Sequence, residues 1–188
     1  GRKMELAQAG IERLRAEVDS LIIIPNDNLL KIIDKRTTMK EAFLAVDDVL
    51  RMGVQGISDV ITNAGDQNID FADVRAIMKD QGDALMGIGI GRGDNRAIDA
   101  ATGAIENPML EDVSVEGATG ILVNITSSSE LSFFEYAEIN EFITSRVRSD
   151  ALVKTGWVVN ENMGEEVKVP VIATGFESSS IPELYARK

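Results

Sequence analysis

The chain has 188 residues, 44% of them hydrophobic, enough to bury one substantial core: one domain, or one domain with a piece of another. Cysteine and histidine are both absent. That excludes disulfides, thiolate chemistry and histidine-based catalysis, and leaves carboxylates to carry any acid, base or hard-metal chemistry. A formal net charge of −12 opposes phosphate backbones and anionic lipids, so neither nucleic-acid binding nor direct membrane binding is expected.

No stretch approaches the roughly 18 apolar residues of a membrane-spanning helix. Met4, Ala7, Ile11, Leu14 and Val18 recur at three- and four-residue steps and predict a helix from about Lys3 to Asp19. Leu21 to Ile24 follows as a short apolar run stopped by Pro25, the pattern of a strand covered on both faces. No strand partner is obvious nearby, so this stretch reads as the end of a domain that begins elsewhere. Asn26 to Asn28 turns the chain into a short helical turn at Leu29 to Ile33.

Thr38 and Glu41 fit a capping box and open a long helix. Met39, Phe43, Val46, Leu50, Val54, Ile57 and Ile61 are expected to form its core face, over more than about 30 Å at 1.5 Å per residue. Gly53 and Gly56 interrupt it, which predicts either close packing against another backbone or a soft point in the helix, and a methyl group at Gly56 is expected to destabilise. Gly65 can cap its end. Asp70 then caps a short helix through Phe71, Val74, Ile77 and Met78.

An alternating pattern follows. Ala84 to Ile90 is a predicted strand, and Asp94 a predicted cap for a helix through Ile98, Ala101 and Ile105, closed by Asn107-Pro108. Gly120 to Thr126 is a second strand; Ser132 and Glu135 make a second capping box, opening a helix through Phe134, Ala137, Phe142 and Val147. Val153, Thr155, Trp157 and Val159 alternate with other residues, as do Val167, Val169, Val171 and Ala173. These two strands predict an antiparallel hairpin across the short link from Asn160 to Glu165, on a sheet covered on one side. The fold class is therefore α/β: a long central helix, then a two-layer domain with a four-stranded mixed sheet and helices on one face.

Gly87, Gly89, Gly91 and Gly93 invite a nucleotide-binding reading that the spacing does not support. Arg92 and Asp94 fall where G-x-G-x-x-G needs its third glycine, and no phosphate-loop motif occurs elsewhere. Alternate glycines in a strand fit close helix packing instead. The remaining chemical candidate is Asn68-Ile69-Asp70-Phe71-Ala72-Asp73. Its carboxylates at i and i+3 share one side of a first helical turn. Ordinary helix capping accounts for them; so does a role in orienting a water beside a metal-bound phosphate.

Longer strings carry a family resemblance. Gly53 to Asp59 (GVQGISD) resembles the end of the central helix of FtsZ, the bacterial tubulin-like cell-division GTPase family, and Asn68 to Val74 (NIDFADV) resembles its synergy loop. Ala84 to Ile90 and Gly93 to Ala97 resemble its next strand and helix start, and Val158 to Asn162 and Val171 to Phe176 its closing strands. Ser127 to Glu130 departs from the glycine-containing turn usual there.

The resemblance runs from about residue 3 to residue 176. It implies that residues 1–36 are the C-terminal remnant of a tubulin-like GTP-binding domain, ending in its last helix and strand. Residues 37–64 would be the central connecting helix, 65–176 the C-terminal GTPase-activating α/β domain and 177–188 a flexible tail. Asn68, Asp70 and Asp73 match residues that reach the γ-phosphate of the neighbouring subunit's GTP, so the site closes only at a head-to-tail contact, and such contacts build filaments. Asn26, Phe43 and Asp47 match positions near the guanine or ribose, with Lys3 where the family usually has arginine.

GTP and Mg²⁺ are implied for the full-length enzyme, in a cytoplasmic mid-cell division ring. The residues themselves form no metal site, and none of the glycine-rich phosphate loops is present, so the chain alone is expected neither to bind nor to hydrolyse GTP. Self-association is the implied partnership. Division adaptors are a further one, through Ile181 to Lys188, which faintly resembles an adaptor-binding peptide and equally fits an unrelated tail. Two other readings stand beside this one: a non-enzymatic module that binds filament ends, and, on architecture alone, a small-molecule-binding α/β domain.

Overall fold

The computed structural model describes residues 2–24, 37–62, 69–107 and 115–176. Its elements are α1 (Arg2–Arg15), β1 (Ser20–Ile22), α2 (Met39–Thr62), α3 (Phe71–Met78), β2 (Gly82–Gly91), α4 (Arg96–Ile105), β3 (Gly120–Ser127), α5 (Phe133–Ser145), β4 (Leu152–Val159) and β5 (Val167–Thr174). The turn at Leu29 to Ile33, the cap at Gly65 and the tail from residue 177 lie outside the described residues.

The sheet has five strands in the order β1-β2-β5-β3-β4, one more than the pattern predicts. The extra strand is β1, whose Ser20, Leu21 and Ile22 pair parallel with Gly82, Asp83 and Ala84. Two further links fasten it there. Ser20 Oγ donates to the carbonyl of Met78, and Arg15 reaches Asp83 with Nε–Oδ1 at 3.0 Å and Nη2–Oδ2 at 2.9 Å.

The expected hairpin does not form. β5 lies between β2 and β3 and runs antiparallel to both, while β4 pairs parallel with β3 at the edge. The link from Asn160 therefore crosses the end of β3, where the Asn160 N–H donates to the carbonyl of Ser127 at 2.8 Å and Ser128 Oγ to that of Gly164 at 2.8 Å. The β3–β5 ladder pairs Val123 with Val171 and resumes at Thr126 with Lys168. Pro170 falls in the gap; it has no N–H to give to a ladder.

Helices cover both faces of the sheet, so the domain has three layers where two are expected. On one face α4 and α5 bury Leu85, Ile121, Val123, Ile125, Val167, Val169, Val171 and Ala173. On the other, α2 and α3 cover Ala84, Met86, Ile88, Leu122 and Ile172. Side chains alternate faces along a strand, and β2 and β5 sit too centrally for either face to stay wet.

The glycine-rich strand packs as its spacing predicts. A Cβ on Gly89 would lie 1.7 Å from the carbonyl oxygen of Ala100, so α4 rests directly on the β2 backbone. That helix begins differently from expectation: residues Gly93–Asn95 form a 3₁₀ turn, and Asn95, not Asp94, takes the cap position without a side-chain bond. Asn107 behind it donates through Nδ2 to the carbonyl of Ile88 at 2.9 Å.

Both capping boxes form. Thr38 and Glu41 bond reciprocally ahead of α2, at 2.8 and 3.3 Å. Ser132 and Glu135 do so ahead of α5. Phe134 is a correction: it is exposed, ring-to-edge with Phe133 at 6.3 Å, and Ile139 and Ile143 are the residues α5 buries. The larger correction concerns α2. The side facing the sheet carries Val49, Met52, Gly53 and Ile57, whereas Met39, Phe43, Leu50, Val54 and Ile61 are exposed.

Candidate functional site

The first turn of α3 is built from two anchors and an outward edge. Ile69, just ahead of the helix, and Val74 and Ile77 within it are buried under the α2/α3 face. Positions between those anchors must point away from the sheet, because 3.6 residues complete a turn. Asp70 and Phe71 are exposed, and Asp73 is half-buried.

Asp70 is the N-cap. Its backbone is extended, with φ −66° and ψ 144°, and its side chain accepts from the N–H of Ala72 at 3.2 Å. Its carbonyl accepts from the N–H groups of Asp73 at 2.9 Å and Val74 at 3.2 Å, which starts the helix. Asp73 has another partner: its Oδ1 lies 2.9 Å from Nζ of Lys154, and the two side chains are 37% and 35% exposed. The capping account of the sequence thus fits Asp70 and leaves Asp73 with a separate arrangement.

Lys154 is the residue the sequence pattern missed. It sits on β4 opposite Leu122 in the parallel ladder, which puts it on the α2/α3 face. The signal was a lone charged residue within the strand, and that pattern usually marks a solvated edge.

The other predicted residues stand apart from this turn. Phe43 and Asp47 are exposed on α2, one helical turn from each other and ahead of the buried Val49. Asn26 and Asn68 lie outside the described residues, as does the side chain of Lys3, although its backbone belongs to α1. Among the described residues no group of three or more acidic side chains is placed to hold a metal ion, and no helix is long and apolar enough to cross a membrane. Chemically, the turn offers two carboxylates and an ammonium on a rigid, outward-facing edge. Such a set can accept hydrogen bonds from a water or meet a ligand that carries its own cation.

The arrangement of a long helix against a mixed sheet with helices on both faces is that of the tubulin-like C-terminal domain. Solved structures with this fold include an FtsZ dimer from M. jannaschii, with a TM-score of 0.85 and 37% identity over 92% of this chain and 50% of that one. A mutant FtsZ from M. jannaschii matches with a TM-score of 0.86 and 36% identity, over 93% of this chain and 52% of that one. A GDP-form TubZ protofilament of Bacillus thuringiensis serovar israelensis shares the fold at 16% identity, with a TM-score of 0.66 over 89% of this chain and 43% of its own. Residues 82–177 match the C-terminal domain of the FtsZ family. The chain belongs to the FtsZ family, and it spans about half the length of the FtsZ structures it matches.

Proposed function

We propose that this chain is the C-terminal half of a filament-forming cell-division GTPase, and that Asp70 and Asp73, with Asn68, complete the GTPase site of the adjacent subunit. The observation that carries the reading is the first turn of α3, where two carboxylates stand on an outward edge fixed by buried Ile69 and Val74. Asp73 is spared the capping role and, among the described residues, pairs with a partly exposed lysine, so its carboxylate keeps acceptor capacity for a water. The FtsZ dimer and the TubZ protofilament among the matched structures support self-association.

On this reading GTP is held by the other half of the enzyme, and Mg²⁺ travels largely with its phosphates, where it would neutralise charge on the transferring group. Asp70 and Asp73 accept hydrogen bonds from the attacking water and hold it in line, which is most of what a protein contributes to phosphoryl transfer. The domain limits proposed are residues 1–36, 37–64, 65–176 and 177–188. The exposed stripe of Met39, Phe43, Leu50, Val54 and Ile61 on α2 suits packing against the nucleotide-binding half, with Phe43 and Asp47 toward the guanosine. The whole enzyme would work in the cytoplasmic division ring, with adaptors engaging residues 177–188.

Asp73→Ala, made in the chain joined to its GTP-binding half, tests this. GTP affinity should stay near wild type while hydrolysis falls by two to three orders of magnitude, roughly 3–4 kcal/mol in the barrier. Asp70→Ala loses a helix cap worth about 1 kcal/mol of stability as well, so Asp73 is the cleaner probe. Normal turnover by the Asp73 variant would leave these carboxylates as structural groups.

A further inference from the structure

Resting on the reading above, we propose that Lys154 is a positioning residue for Asp73. Its ammonium fixes the carboxylate and offsets its charge where this turn must approach a phosphate. The sequence resemblance assigns no role to Lys154; the placement comes from the sheet.

β4 is an edge strand, and the residues on either side of Lys154 turn to the opposite face. Val153 packs on the α4/α5 core, and Thr155 Oγ1 donates to Asn140 Oδ1 of α5 at 2.6 Å. Lys154 alone of this trio faces α3, and its stem ends with Nζ 2.9 Å from Asp73 Oδ1. The two carboxylates of the turn are therefore held by different devices. Asp70 is held by the backbone of its own helix, Asp73 by a cation from a distant strand.

Electrostatics gives the second device a purpose. Two bare carboxylates repel an incoming phosphate, and the repulsion grows as water is excluded from the contact. An ammonium in contact with one of them makes a nearly neutral pair and leaves one carboxylate charge uncompensated. A carboxylate has about four acceptor sites, so one ion pair does not exhaust it. Stability does not explain the pair, because partly exposed ion pairs contribute little to folding.

The test compares Lys154→Met, Lys154→Arg, Asp73→Asn and the Lys154→Met/Asp73→Asn double variant in the chain joined to its GTP-binding half. Lys154→Met should lower kcat per assembled subunit by about tenfold or more while KM for GTP stays within about twofold, since misplacing a catalytic group is what is lost. Lys154→Arg should restore most of the rate. In the Asp73→Asn background, Lys154→Met should cost nothing further, because the two act as one unit. A melting-temperature change below about 3 °C for Lys154→Met would accompany this result; a larger one would make the lysine a structural residue and overturn the proposal. Wild-type turnover by Lys154→Met beside collapse in Asp73→Asn would reject the role of Lys154 and keep the function proposed for Asp73. Normal turnover in Asp73→Asn would remove both.

Discussion

The two faces of the sheet are built to different standards. Under α4 and α5 the packing is dense and apolar, with the helix backbone on Gly89 and Ala97, Ala100, Ala101 and Ala104 buried against the strands. A charged contact within it, Arg96 with Glu135, ties α4 to α5 at 2.6 and 3.2 Å and is largely shielded from solvent. Under α2 and α3 the cover is looser. Asn124 donates to the carbonyl of Gly56 at 3.0 Å while its Oδ1 is buried without a partner among the described residues, and Pro170 interrupts the ladder beneath. The candidate site sits on this second face. A rigid layer on one side lets the other carry polar groups and exposed edges that add little to stability.

Breaking the dense face should therefore cost most. Gly89→Ala would drive a methyl group into the carbonyl of Ala100, and neither backbone can move without shifting α4. A loss of about 3 kcal/mol or more is expected, read from the midpoint of chemical denaturation.

The Arg96–Glu135 pair gives a smaller effect with a defined pH window. The Arg96 guanidinium, helped by the Ser132 cap, holds the Glu135 carboxyl down at about 2, against 4.5 for an ordinary glutamate. A depressed carboxylate stabilises the fold fully above its unfolded value and loses that contribution as pH falls through the folded one. Between pH 4.5 and 2 the native chain should lose about 1–2 kcal/mol more than Glu135→Gln does, measured by denaturation at a series of pH values. Equal slopes would mean that the pair is no stronger than a surface contact.

At Gly56 the looser face should barely respond to a methyl group. Sequence reasoning expects Gly56→Ala to destabilise, yet the added Cβ would meet Pro170 with Cγ at 3.3 Å and Cβ at 3.6 Å, and Asn124 Nδ2 at an ordinary 4.0 Å. A proline ring yields a few tenths of an ångström by changing pucker, and alanine favours the helix by up to about 1 kcal/mol. The two should cancel to within about 0.5 kcal/mol. A loss above 2 kcal/mol would show that this face is packed as tightly as the other.

Local signals in the chain proved readable where the interaction itself is local. Thr38 with Glu41, Ser132 with Glu135 and Asp70 ahead of α3 all cap as their spacing predicts. The glycines of β2 announced a close helix because a missing side chain leaves a surface only a backbone can fill. Strand order was not readable: β4 and β5 are close in sequence, yet β5 pairs with β2 and β3, and nothing in a period-2 pattern names a partner. The stripe of Met39, Phe43, Leu50, Val54 and Ile61 shows the same limit. An apolar face records that something can cover it, and in this chain the sheet covers the adjoining side, through Val49 and Gly53. At the candidate site, the placement of Asp70 and Asp73 on one first turn was legible from their spacing, while the contact with Lys154 was not, since it joins an edge strand to a helix far behind it.

The central claim is that this turn acts on a neighbour's nucleotide, and mixing two defective chains tests it most directly. One chain would carry Asp73→Ala with an intact GTP-binding half. The other would keep Asp73 but be unable to bind GTP. Neither should hydrolyse GTP alone. Mixed, they should regain turnover in proportion to contacts where the intact Asp73 meets a bound nucleotide. A mixture no more active than its separate components, while co-assembly is verified by sedimentation, would contradict the account.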